Sequence, residues 1–108
     1  MRQFEPARLI RLHFSEGDRY QGKALYEAIV DKCIQLKIAG ATVFRGLEGY
    51  GETAEIHHKH LLRGDEPIVV TIVDTPANIE RLVPELENMM DTGLIAVSDV
   101  ETLRIIGE

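Results

Sequence analysis

Gly40-Ala41-Thr42-Val43-Phe44-Arg45-Gly46-Leu47-Glu48-Gly49-Tyr50-Gly51 is the stretch on which the rest of the chain turns. It begins as a strand and ends as a backbone hinge. Ala41 to Phe44 suit a pleated, half-buried surface. Gly46, Gly49 and Gly51 then follow in quick succession, and glycine permits dihedrals and close approaches that other residues forbid. A polar, His-rich segment, Glu52 to Glu66, separates this strand from the next, which starts at Pro67. Hairpin connections usually take roughly two to five residues, and this one takes about fifteen. A working loop is expected over 52–66, and function is placed there.

Downstream, Pro67 to Val73 is nearly continuous in β-branched residues and reads as a central strand, with Pro67 where a strand may begin. Asp74-Thr75-Pro76 is a helix start, with Thr75 as cap and Pro76 at the first helical position. Ile79, Leu82, Val83, Leu86, Met89 and Met90 recur at helical spacing to about Asp91, with the two methionines as core packing. Pro84 is expected to kink this helix or split it near Val83, and Gly93 to close it. Leu94–Val97 and Val100–Ile106 read as one interrupted strand or two short ones, broken at Ser98-Asp99.

Upstream, Gly22 to about Ile38 reads as a helix ended by Gly40. Leu25, Ile29, Cys33 and Leu36 form one face, widened by Tyr26, Val30 and Ile34. Ser15 or Asp18 is expected to cap this helix, and Lys23 near its start is solvated or faces an anion. Ala7 to Phe14 is a strand whose alternation puts Arg11 and His13 on one face, either solvent or a cleft. The order strand, helix, strand, strand, helix, strand is the split βαβ of α+β ferredoxin-like folds, βαββαβ. It predicts an antiparallel sheet with both helices on one face. The other face must be covered, and a single domain spanning 1–108 has nothing left to cover it. An oligomer with sheets packed toward a common centre answers this.

The bulk properties narrow the function. Apolar residues make up 44% and charged residues 28%, which is the composition of a globular chain. A net charge of −6 argues against a nucleic acid polymer as partner, since phosphate backbones require a basic footprint. One cysteine, Cys33, excludes an internal disulfide framework and suits a reducing compartment. It lies in the apolar helix stripe and reads as a buried hydrophobe. No apolar run approaches about 18 residues, so a cytoplasmic, soluble protein is expected.

Arg45 to Gly51 is neither a phosphate-binding P-loop nor a dinucleotide fingerprint, because no strand-to-helix turn follows. Its amides could form an anion nest, or its glycines could let a hairpin bulge and twist. Glu55, His57, His58, Lys59 and His60 form a second cluster. His58 and His60 share a face if the segment is extended, and His57 and His60 do so on a helical turn. These histidines with Glu55 would hold a divalent metal, or make the loop responsive to ligand, partner or pH. No nucleophile elbow, Cys–His signature or paired carboxylate motif is present, so the chain is not expected to be an enzyme.

Several runs together carry a resemblance. They are Glu16-Gly17-Asp18-Arg19, Gly22-Lys23-Ala24-Leu25-Tyr26-Glu27-Ala28-Ile29, Ile38 to Gly51, Asp74-Thr75 and Leu103-Arg104. Across nearly the whole chain, they resemble a family of PII-like proteins catalogued as a domain of unknown function, a small branch near the nitrogen-regulatory PII signal proteins. The resemblance implies a ferredoxin-like homotrimer that binds a small ligand, such as an adenine nucleotide, in clefts between subunits. It also implies signalling to a protein partner through loop 52–66, that partner being, for example, a membrane transporter or channel. Arg45, Gly46, Gly49, Tyr50 and Gly51 would line the cleft, and Arg104 on the last strand would contact phosphate. PII proteins carry a Thr-Gly and then a Gly-Asp-Gly-Lys phosphate-binding turn before the last strand. Here Thr92-Gly93 runs straight into Leu94-Ile95-Ala96-Val97. The expected ligand therefore has fewer phosphates than ATP, AMP or a cyclic nucleotide for example. The alternative reading is a divalent-metal-binding protein that uses His57, His58 and His60.

Overall fold

A computed structural model describes residues 3–47 and 66–106. The elements are β1 (Glu5–Ser15), β2 (Arg19–Tyr20), β3 (Lys23–Ala24), α1 (Leu25–Gln35), β4 (Ala41–Arg45), β5 (Pro67–Asp74), α2 (Pro76–Met89) and β6 (Leu94–Thr102). Four strands form one sheet in the order β4-β5-β1-β6, and every pairing is antiparallel. This is the expected α+β, ferredoxin-like arrangement.

Register determines which side chains meet. In an antiparallel ladder, residues directly opposite one another share a face. Ile10, Leu12 and Phe14 of β1 stand opposite Ile72, Val70 and Ile68 of β5, and all six are buried. Both helices close over this face. Leu25, Ala28, Ile29 and Cys33 of α1 and Ile79, Leu82, Leu86 and Met89 of α2 complete the core. Burial pushes the Cys33 thiol up to about 11, so it stays protonated and unreactive at neutral pH.

Several local expectations need correction. α1 starts at Leu25 rather than Gly22, because the residues before it form a two-residue hairpin. Gln21 (φ 51) and Gly22 (φ 81) take the left-handed dihedrals that a tight primed turn requires. Neither Ser15 nor Asp18 caps α1. Asp18 instead accepts the Ser15 amide at 3.1 Å and its backbone carbonyl accepts that of Leu25 at 2.8 Å. Lys23 pairs with Asp31 at 2.6 Å. At the far end, Lys37 rather than Gly40 terminates α1. Lys37 is left-handed (φ 60), its amide donates to the Ile34 carbonyl and the Ile38 amide donates to that of Cys33. That is a Schellman closure, with Ile38 and Cys33 both buried in the same core cluster.

Further corrections concern α2, the last strand and Ile34. α2 is not split at Pro84, which lies on the exposed side. The carbonyl deprived of a donor is that of Glu80, an exposed residue, where water can serve instead. β6 runs without interruption through Ser98-Asp99, because these residues keep register with Leu9 and Arg8 and Asp99 pairs with Arg8 at 3.1 Å. The strand stops at Thr102. Ile34, expected to widen the α1 core stripe, is 71% exposed.

Two substitutions test these closures by denaturant midpoint. Lys37→Gly should stabilise the chain by roughly 0.5–1 kcal/mol, because the left-handed cost of an L-residue exceeds the extra entropy of glycine. Gly93→Ala should destabilise it by roughly 1–3 kcal/mol. A methyl there would lie 2.6 Å from the His13 carbonyl, on a backbone with φ +121.

Candidate functional site

The residues singled out by sequence fall at the two ends of the sheet. At one end, β4 delivers Arg45 and Gly46 to the base of segment 52–66. The Gly46 amide donates to the Pro67 carbonyl at 2.7 Å. A Cβ at Gly46 would sit 2.8 Å from the Pro67 ring, so glycine is needed for the two strands to approach. The Glu16 amide donates to the Glu66 carbonyl at 2.9 Å, and the Glu16 carboxylate pairs with the Arg45 guanidinium. Arg45 and Glu66 are thus both tied to Glu16, just past the end of β1. Sequence reasoning misses Glu16 as part of this site; its presence in the Glu16-Gly17-Asp18-Arg19 run is the available signal. Gly49, Tyr50, Gly51, His57, His58 and His60 lie outside the described residues. Among the described residues, no group of three or more His, Cys, Asp or Glu side chains is placed to hold a metal ion.

The opposite end of the sheet carries a cleft of about 400 Å³, lined by Glu5, Ala39, Asp74, Thr75, Leu103 and Arg104 among others. Arg104 lies here, past the end of β6 rather than on it. Asp74 organises the cleft wall. Its carboxylate accepts the Ala39 amide at 2.8 Å and the Thr75 amide at 2.6 Å, joining the α1–β4 connection to the start of α2. Thr75 in turn accepts the Asn78 amide at 3.2 Å. Arg81 donates to the Leu36 carbonyl at 2.9 Å and to Asn78 at 3.0 Å. Burial raises the Asp74 pKa, but the two amides, the Asn78 side chain and the Arg81 charge outweigh it, and the net result lies below the ordinary 3.8. The α2 N-terminus therefore already holds its own carboxylate. Arg104 makes no hydrogen bond or ion pair with a described residue, which leaves it available to an anion.

Arg45 and Arg104 do not meet within one chain. Arg45 stands opposite Ile68, near the start of β5, while the Arg104 cleft includes Val73 and Asp74 at its end. At about 3.3 Å per strand residue, the two ends lie roughly 20 Å apart.

A family model covers residues 7–102, that of DUF190, described as "Uncharacterized ACR, COG1993". This chain belongs to the DUF190 family. It is 37% identical over 98 residues to a UPF0166 protein of Aquifex aeolicus, covering 89% of this chain and 92% of that one. It is 32% identical over 95 residues to a UPF0166 protein of Methanocaldococcus jannaschii, covering 86% and 88%. Among solved structures, the DUF190 chain superposes on CPII of Thiomonas intermedia bound to ADP and bicarbonate. The TM-score is 0.65 at 18% identity, over 94% of this chain and 93% of that one. CPII bound to ADP, AMP and bicarbonate gives a TM-score of 0.66 at 16% identity, over 94% and 92%. A structure described as a PII-like signalling protein of Thermus thermophilus gives 0.64 at 15%, over 92% and 90%. The DUF190 fold of this chain is thus the PII-like one. Among the described residues, no helix is long and apolar enough to cross a membrane.

The lowered Asp74 pKa has a definite sign. Its contribution to stability is complete above pH 3.8 and disappears as pH falls through the lower folded value. Asp74→Asn should therefore unfold at lower denaturant than the unsubstituted protein at pH 7, and the gap should narrow steadily below pH 3.8. Parallel denaturation curves from pH 7 to pH 2 check this.

Proposed function

We propose that this DUF190 protein is a PII-like regulatory protein, a single domain over 1–108 that works as a homotrimer. In this reading it binds a small anionic ligand, with an adenine nucleotide of few phosphates as the leading class, and acts on a protein partner through segment 52–66. The observation that carries the reading is the cleft beside Arg104. Its volume of about 400 Å³ falls in the range of small-molecule sites. Of its two carboxylates, Asp74 is satisfied by backbone amides while Glu5 also lines the cleft, and its guanidinium is uncommitted.

Two further points support the reading. Solved proteins of the same fold carry ADP or AMP. The roughly 20 Å that separate Arg45 from Arg104 within one chain suit a site composed from two subunits. One subunit would offer the loop base at Arg45 and Gly46, with Gly49, Tyr50 and Gly51 beyond it, and its neighbour would offer Arg104. A ligand between them would bear on the Arg45–Glu16 pair that ties down the loop base, which gives binding a route to segment 52–66. Order–disorder of a segment is an established switching mode. No residue here is assigned a catalytic step.

Thermal unfolding against AMP, ADP, ATP, cyclic nucleotides, bicarbonate and divalent metals tests this. At about 100 times its dissociation constant, a ligand of the folded state adds about 2.7 kcal/mol, a shift of several degrees. AMP or another nucleotide should produce it, alter protease cleavage within 52–66, and lose affinity about tenfold in Arg104→Gln, the loss of one charge-assisted contact. A shift with metals alone, or with no compound, contradicts the proposal.

A further inference from the structure

The helix-free face of the sheet carries the side chains that alternate with the core. Its rows are set by register. Phe44, Val69, His13 and Leu94 form one row, and Thr42, Thr71, Arg11 and Ala96 form the next. Leu9, Val73 and Ser98 form a third. Phe44 and Leu94 are 54% and 60% exposed, and the Thr42-Thr71-Arg11 row is the most polar of the three, flanked by rows that are apolar except for His13 and Ser98. These rows hold two basic groups, Arg11 and His13, and no acid; the acid that the same alternation puts on this face, Glu5, stands three rows from Arg11 at the far end of β1. Arg11 is exposed and makes no hydrogen bond or ion pair with a described residue.

Covering this face with further copies of the chain raises an electrostatic problem. In a three-fold assembly whose sheets face a common centre, the copies of this face converge on the axis, although each pairwise contact joins different patches. Every copy then brings an Arg11 and none brings a carboxylate within these rows. A buried, unpaired guanidinium costs several kcal/mol, and like charges brought together cost more. Arginine offers a planar fork of donors suited to oxyanions. Thr71 and Thr42 lie directly across the ladder, at about 5 Å per strand step, with hydroxyl donors on the same side.

We infer that the assembled protein binds a small oxyanion on this sheet face, held by Arg11 with Thr71 and Thr42, distinct from the cleft at Arg104. The ligand class is a compact tetrahedral or planar oxyanion of the phosphate, sulfate or bicarbonate type. Its role is to neutralise the arginines that self-association would otherwise bury unpaired, so the anion and the assembly stabilise each other. The inference rests on the homo-oligomer proposed above.

Sedimentation equilibrium with inorganic phosphate at constant ionic strength, balanced with chloride, tests it. Phosphate should tighten self-association of the intact protein about tenfold, within the usual range of coupling between sites. Arg11→Gln should associate without phosphate and show no phosphate response, and Thr71→Val should show a reduced one. An oligomer indifferent to phosphate, sulfate and bicarbonate overturns the anion site but leaves the oligomer standing. An undiminished phosphate response in Arg11→Gln also overturns it, by placing the ion elsewhere. A wild-type chain that stays monomeric with and without phosphate overturns both.

Discussion

The sheet has two faces, and among the described residues helices cover only one of them. α1 and α2 bury Ile10, Leu12, Ile68, Val70 and Ile72 almost completely. The reverse face keeps Leu9, Phe44, Val69, Val73 and Leu94 without cover from the chain's own helices. Apolar surface left in water forfeits about 25 cal/mol per Å², and contiguous exposed apolar patches on soluble proteins usually mark contacts. In the proposed homotrimer the bare face would link fold to assembly, and assembly to a site composed between subunits. It also explains why Arg45 and Arg104 can belong to one proposed site while lying at opposite ends of their own sheet.

A second constraint operates at the sheet's ends. Asp74 ties the entry to β4 and the start of α2 through two backbone amides. Glu16, just past the end of β1, ties Arg45 and Glu66 together. One carboxylate at each end thus fixes the walls against which a ligand would rest. The Asp74 knot is made of backbone contacts and is structural, whereas the Glu16–Arg45 pair is half exposed and worth little to stability. That weakness suits the proposed function, in which this element would yield when a ligand or partner binds.

The architecture is legible because its signals are repeated. β5 reads as a strand from the run Ile68 to Val73, and α2 reads as a helix from six apolar residues in phase and a Thr-Pro start. The misreadings fall where a single residue settles the matter. Gly40 looks like the end of α1, but the two backbone hydrogen bonds from Lys37 and Ile38 close the helix earlier, with Lys37 in a conformation that propensity alone would deny it. Gly22 looks like a helix start, but with Gln21 it makes a hairpin too short to leave a periodic trace. Ser98-Asp99 looks like a break, yet the salt bridge from Asp99 to Arg8 is a cross-strand fact invisible in a linear reading. The site is legible as a set of residue types rather than as a geometry. Sequence names Arg45, Gly46 and Arg104, but gives no sign that the first two lie roughly 20 Å from the third. Glu16 gains meaning only once β1 and β4 are placed.

Self-association of the bare face is the central claim, and the mass of the protein in solution tests it most directly. Sedimentation equilibrium at micromolar concentration should give a single species of three times 12.1 kDa, and Phe44→Asp should lower it. A species of 12.1 kDa that persists as concentration rises would contradict the claim, and with it the site composed between subunits.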